Sequence, residues 1–487
     1  MLQPISYVVV FLLCVAILAK VHSPRVKQCV LLIVSYALYL TWRPWFAAVL
    51  LASTGMNYLV GSSLRRQRSG FLLLLGIALN LALLGTFKYL PEAAVSLPFS
   101  SLQHFAHRAM PLGLSFWTFQ AMSYLLDVYQ GEEIDPSFFE FALYMVFFPV
   151  TISGPVCRMP EMLPQIRSGS PVRRSDIGNG LRRIAIGALM MQLARLLGQG
   201  ILAGDGINSG FDRVTHWSGV DVWCLAFGFG LQIFFDFAGY SHIAIGAAQT
   251  LGFTIPENFA RPFSSTSPSI FWTRWHMSLS FWIRDYVFFP LMRLRREVWW
   301  RNFALLVAMV LFGLWHKGTV LFLLWGFYHG ILLVLHRQVE TIERERDWTP
   351  PELPWTILSW IATITLVDLG WILFRATSLA QARQMLSSVV SPATYHAHFL
   401  SGSLYLLVAG LAASYVLVLL VIDSLDRASA DATDAAGLAK ASSGFLATLA
   451  RWRWYWVAPL YALALLFVLI VTLSHGTSTA QLMYGNF

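Results

Sequence analysis

The sequence predicts an all-α polytopic membrane protein. Three observations carry that reading. Of 487 residues, 57% are hydrophobic and only 12% are charged, whereas an ordinary soluble domain is roughly a quarter charged. Apolar runs close to ~20 residues, the length that crosses ~30 Å of hydrocarbon, recur along the whole chain. The alternating short segments of an outer-membrane barrel are absent. The net charge of +9 comes from Lys and Arg in short loops, which marks the cytoplasmic side of a membrane rather than a nucleic-acid surface. Cys14, Cys29, Cys157 and Cys224 form no C-x-x-C pair, so neither a disulfide framework nor a zinc site is indicated.

The elements follow in order. Residues 4–19 are apolar, with no basic segment before them and no small-residue cleavage site after, and read as a retained first helix. Residues 29–42 and 45–61 form a hairpin split at Arg43-Pro44. A span over 70–90, an outside loop over 91–108 and a returning span over 111–129 come next. Residues 138–155 are apolar but interrupted by Pro149, Gly154 and Pro155, and a basic loop from Arg158 to Arg183 follows. That combination predicts a re-entrant or broken helix, tolerated only where protein or water covers its backbone. Residues 184–202 and 220–250 are spans, and 269–289 reads as one buried or interfacial helix. A second hairpin, 303–316 and 319–335, turns at Lys317-Gly318. Further spans lie at 355–374, 404–422 and 456–473, with a cytoplasmic linker at 423–455. The expectation is one integral membrane domain over 1–487, with about 11 transmembrane helices plus the re-entrant and buried ones.

Ionisable residues concentrate between Gln232 and Gly330. Such groups cost several kcal/mol or more at membrane depth, so a chain that keeps them there uses some of them. On a continuous helix over 269–289, Trp272, Trp275, His276, Leu279, Trp282, Ile283 and Tyr286 share one face, with Arg274, Ser278 and Asp285 on another. His276 there suits either a functional imidazole or a core histidine bonded to a carbonyl. His316 ends an apolar helix at Gly313-Leu314-Trp315-His316. An imidazole titrates near neutrality and can take a proton from an attacking hydroxyl; it can equally cap free helix carbonyls. His329 in the next helix reads as structural, and Asp236, buried among phenylalanines, as a group that holds a neighbour in place. No G-x-S-x-G elbow occurs, and no His/carboxylate spacing suggests a metal.

These stretches resemble a known family. WRPWFAAVLLASTGMNYLVG (42–61), FKYL (87–90), PLGLSFWTFQAMSYLLDVYQG (111–131), FFPVTISGPVCR (147–158), QIFFDFAGYSHIAIG (232–246), PENFARPF (256–263), FWTRWHMSLSFWIRDYVFFPL (271–291), GLWH (313–316), LLWGFYHG (323–330) and GWILFRA (370–376) follow one another in the order of the membrane-bound O-acyltransferases. Within that family they are most similar to the bacterial branch holding alginate-type polysaccharide O-acetylation proteins and teichoic acid D-alanyl transfer proteins. The resemblance implies a multi-helix shell around a funnel or tunnel, with a family core over 42–375. It implies His316 as the catalytic histidine and His276 as a second functional position, with Asp236, Arg274, Trp275, Ser278, Trp315 and His329 binding or supporting. It implies no bound cofactor and no metal. The donor would be a cytoplasmic thioester, acetyl-CoA or an acyl carrier protein, and the acceptor an exopolysaccharide, reached through a periplasmic SGNH-hydrolase-like acetyltransferase partner. The setting would be the bacterial inner membrane. D-alanyl transfer to teichoic acid, and transport of acyl donors or glycans, are the alternatives. Lys317 follows the GLWH histidine where the family has a small residue, and His242 stands where it has an acid.

Overall fold

The computed structural model describes residues 4–91, 110–169, 172–201, 204–213, 216–346 and 351–434. Regular structure among the described residues is helical. Among the described residues seven helices are long and apolar enough to cross a membrane: α3 (Pro44–Arg66), α4 (Gly70–Leu84, prolonged by a π-turn Gly85–Tyr89), α10 (Gly219–Thr250), α14 (Val298–His316), α15 (Val320–Glu345), α16 (Glu352–Arg375) and α18 (Gly402–Asp434). Three more, α1 (Pro4–Lys20), α2 (Pro24–Leu40) and α5 (Leu114–Gln130), have 17 residues each, just short of the ~20 that span hydrocarbon unaided. The expected span 456–473, most of the loop 91–108 and the linker beyond residue 434 lie outside the described residues. Helix α18 continues to Asp434, into the stretch expected to be linker.

The described residues divide into two compact units, one built from residues up to Gly187 with Tyr240–Phe374, the other from Ala188–Gly239 and the chain from Arg375 onward. In the first unit, α4 has only 17% of its apolar window buried. Phe71 and Leu74 point outward from it, 73% and 66% exposed. Such surface belongs against lipid tails, since in water it would be a large apolar patch. Its opposite face holds Asn80, which exchanges two hydrogen bonds with Asn57 of α3 at 2.7 and 3.1 Å, both residues fully buried. Reciprocal amides of this kind join helices where no water competes. Helix α5 is buried on all sides, Trp117, Tyr124 and Leu125 being fully enclosed. In the second unit, Asp221 at the start of α10 accepts from the backbone of Ser218, Phe399 and Leu400 and from the Tyr405 hydroxyl. Arg375 pairs there with Asp212 at 2.9 Å.

The interruption expected over 138–155 is present: α6 (Phe138–Val146) stops and the chain turns through residues 147–154. Part of the basic loop forms α7 (Met159–Ser168), and α8 (Arg174–Gln199) follows. Two further helices, α9 (Ile207–Arg213) and α17 (Leu379–Val390), were not anticipated.

The single helix expected over 269–289 is instead three pieces and a π-turn: α11 (Pro268–Arg274), α12 (Met277–Ile283), the π-turn Arg284–Phe288 and α13 (Phe289–Arg293). Trp275 is extended and His276 is left-handed, φ 44°, an uncommon state for a residue with a side chain. Asn258 explains the break. Its carbonyl accepts from Met277 N at 2.9 Å, and its side chain accepts from Ser278 Oγ at 2.6 Å and donates to Ser241 at 3.1 Å. These bonds replace the helix bonds that the turn gives up, so the one-face reading of Trp272 to Tyr286 does not hold. Asn258→Leu should leave buried Ser278 and Ser241 short of partners and cost about 1–3 kcal/mol, read as a lowered unfolding midpoint in detergent.

Helices α14 and α15 touch backbone to backbone. A Cβ on Gly313 would land on the Phe322 carbonyl oxygen, and one on Gly326 on that of Met309. Small residues give membrane helices this contact, where van der Waals packing rather than water exclusion drives association. Gly326→Val should therefore destabilise by about 1–3 kcal/mol or more. Gly55→Ala, where nothing lies within 4 Å, should leave the unfolding midpoint unchanged in the same measurement.

Candidate active site

Helix α14 ends on His316 because Lys317 turns extended, φ −156° and ψ 141°. Any residue adopts that backbone, so a lysine is accommodated after the GLWH histidine, and its side chain is exposed. His316 is buried, 3% exposed, in a case of aromatic rings. It stacks on Phe312 at 5.5 Å and lies 4.7 Å from Trp315, 5.6 Å from Trp325 and 5.1 Å from Phe374, centroid to centroid. His276, also buried at 1% exposure, reaches the same two rings, 6.3 Å from Phe312 and 6.2 Å from Trp315. Two imidazoles remote in sequence thus share one aromatic wall. The left-handed turn at His276 brings its ring there.

The other expected residues are distributed around this pair. Trp315 lies near both imidazoles. His329 lies behind them, edge-on to Trp272 at 5.2 Å and to Trp325 at 4.9 Å, with Gly370 against its Nε2. Trp275 stacks on Phe271 at 5.5 Å and packs on Trp371 at 5.0 Å. Ser278 is tied to Asn258 and accepts from Val156 N at 3.0 Å, which anchors the broken segment after α6. Arg274 donates to Ser264 at 2.8 Å, and its carbonyl accepts from Ala260 N; it serves the loop rather than the imidazole pair. Asp236 is buried in the part of α10 that belongs to the second unit. His242 has the Arg183–Glu257 ion pair as its charged surroundings.

A cleft of about 370 Å³ lies on the other side of Phe312, with none of the three histidines in its lining. Trp272 and Phe312 line its floor, and Arg284, Arg337, Glu340 and Ser269 are among its polar lining. His316 is not part of the lining; the Phe312 ring separates it from the cleft. Near that opening Arg158 and Arg284 both bind Asp285 at 2.7 Å. Burial pushes the Asp285 carboxyl up, but hydrogen bonds from Arg284 and Arg158 outweigh it and hold it below the usual carboxylate range. The arginines of the basic loop are partly committed too, Arg167 to Glu140 and Arg183 to Glu257. Among the described residues no group of three His, Cys, Asp or Glu is placed to hold a metal ion.

Sequence reasoning passed over Asn258, Phe312 and Lys88. Asn258 and Lys88 lie inside quoted motifs, PENFARPF and FKYL, but no periodicity marks them. Lys88 sits in the π-turn of α4 with its Nζ 4.8 Å from the centre of the Trp315 ring. The neighbouring Tyr89 hydroxyl donates to the Leu314 carbonyl at 3.0 Å.

Residues 3–369 match the model of the MBOAT, membrane-bound O-acyltransferase family. The chain is 31% identical to a probable alginate O-acetylase of Pseudomonas aeruginosa, over 76% of this chain and 71% of that one. It is 29% identical to a peptidoglycan O-acetyltransferase of Helicobacter pylori, over 76% and 75%. It is also 29% identical to a teichoic acid D-alanyltransferase of Bacillus subtilis, over 54% and 68%. The match over residues 3–369, with these relatives, shows that the chain belongs to the membrane-bound O-acyltransferase family, and it is an O-acyltransferase.

Proposed function

We propose that this protein moves an acetyl group from a cytoplasmic thioester, acetyl-CoA or an acyl carrier protein, across the bacterial inner membrane for O-acetylation of an exopolysaccharide. The observation that carries the reading is the shared wall of His276 and His316. A hydroxyl brought to this wall loses its proton to His316 as its oxygen attacks the thioester carbonyl. His316 then returns a proton to the departing thiolate. His276 orients or polarises the donor. Holding donor and acceptor at one imidazole is catalysis by proximity, and the aromatic case keeps water from hydrolysing the thioester. Trp315, His329, Trp275 and Ser278 hold the two imidazoles or their helices in place. Arg274 and Asp236 act at a distance from the pair.

The cleft over Trp272 and Phe312 suits the donor. Trp272 and Phe312 give it apolar lining and Arg284 and Arg337 cationic lining, which fits a pantetheine arm with a phosphate at its end. The acceptor is taken to be a polysaccharide because the matched acetylases share about three quarters of this chain, 76% for two of them, against 54% for the D-alanyltransferase. A periplasmic SGNH-hydrolase-like acetyltransferase completes the transfer.

Purified protein with labelled acetyl thioester tests the reading. His316→Ala should lower transfer by at least about a hundredfold, within the range of general acid–base catalysis, while donor binding persists. Retention of transfer in that variant overturns it. Arg337→Met should raise the donor KM about tenfold, equivalent to ~1.4 kcal/mol of binding, with kcat little changed. That KM effect should shrink as salt rises.

A further inference from the structure

Lys88 is carried to the aromatic wall at His316 by a π-turn at the end of a membrane helix. Helix α4 faces lipid along most of its length, and a lysine at membrane depth is costly. At its end the helix widens into the π-turn Gly85–Tyr89. Such turns insert one residue, re-aim the side chains around it, and are frequent at functional sites. Here the turn is pinned: Tyr89 donates to the carbonyl of Leu314, two residues before His316. The result is that Lys88 Nζ is buried and lies 4.8 Å from the centre of the Trp315 ring. Trp315 is one of the two rings that lie near both imidazoles, 4.7 Å from His316 and 6.2 Å from His276, centroid to centroid. The lysine is close enough to His316 for the two to interact electrostatically.

We propose that Lys88 is a third catalytic group, whose ammonium meets the donor's carbonyl oxygen and stabilises the negative charge that develops there. The inference rests on acyl transfer at His316. In the step concerned, the acceptor oxygen bonds to the carbonyl carbon while its proton passes to His316. The carbonyl π pair moves onto oxygen, giving an oxyanion beside the Lys88 ammonium. The pair then re-forms the carbonyl, the carbon–sulfur bond breaks, and the thiolate takes the proton from His316. Lys88 keeps its protons throughout. A fixed cation aimed at a developing charge is effective where water is excluded, because the field is not screened and nothing reorganises. The Trp315 face holds the ammonium there, cation over ring.

Three variants decide it: Lys88→Met, Lys88→Arg and His316→Ala, each measured for unfolding midpoint, kcat and donor KM with labelled acetyl thioester. The proposal expects Lys88→Met to fold with a midpoint near the parent's. It should lose about a hundredfold to a thousandfold in kcat, the size of one removed oxyanion donor, with donor KM within about threefold. Lys88→Arg, which restores charge but not shape, should recover at least about tenfold of that loss. A purely structural lysine would instead lower the midpoint and the folded fraction together, and the arginine variant would be no better than the methionine one. If Lys88→Met yields no folded protein, Lys88→Gln takes its place under the same thresholds. Retention of more than about a third of kcat by the neutral variant, or equal loss in the arginine variant, overturns the proposal. Loss of transfer in His316→Ala alongside an active Lys88→Met removes the lysine alone. Full transfer by His316→Ala removes the underlying reading with it.

Discussion

The contact between α14 and α15 is the constraint on which the candidate site depends. Gly313 and Gly326 leave no side chain between the two backbones, so each glycine lies against a carbonyl of the other helix. Within lipid there is no water to squeeze out, and close packing does the joining. Because the helices touch there, Trp325 of α15 comes to rest 5.6 Å from His316 and also 4.9 Å from His329. Phe322 reaches His316 from the same helix at 6.1 Å. Side chains at the glycines would part the helices and open the case of rings around the imidazole.

Four arginines of the first unit are held differently from its imidazoles. Arg158, Arg167, Arg183 and Arg284 are each paired with a carboxylate, as polar groups beside a low-dielectric region must be. His276, His316 and His329 can be buried neutral, and they sit among aromatic rings. A buried, aromatic setting of this type strengthens electrostatic interactions inside it.

Broken helices supply the remaining precision. The turn after α6 and the left-handed step at His276 both abandon helix bonds, and both are repaid by Ser278, which accepts from Val156 and donates to Asn258. One serine thus ties two irregular segments together, each covered by protein as membrane backbone requires. The π-turn at the end of α4 is a milder version of the same device, fastened by Tyr89 to the last turn of α14.

The sequence by itself determined the helical membrane class, the hairpins on either side of Arg43-Pro44 and Lys317-Gly318, and an interruption within residues 138–155. These depend on hydrophobic run length and on proline and glycine, which are local. It also pointed to His316 and His276, through ionisable residues in an apolar setting and through the motifs around them. Only the tertiary structure decided that the two imidazoles share Phe312 and Trp315, that residues 269–289 break at His276, and that Lys88 reaches the same tryptophan. Each of those turns on a partner far along the chain: Asn258 for the break, Leu314 for the π-turn. Helical periodicity describes one segment at a time, so it carries no record of hydrogen bonds made between segments.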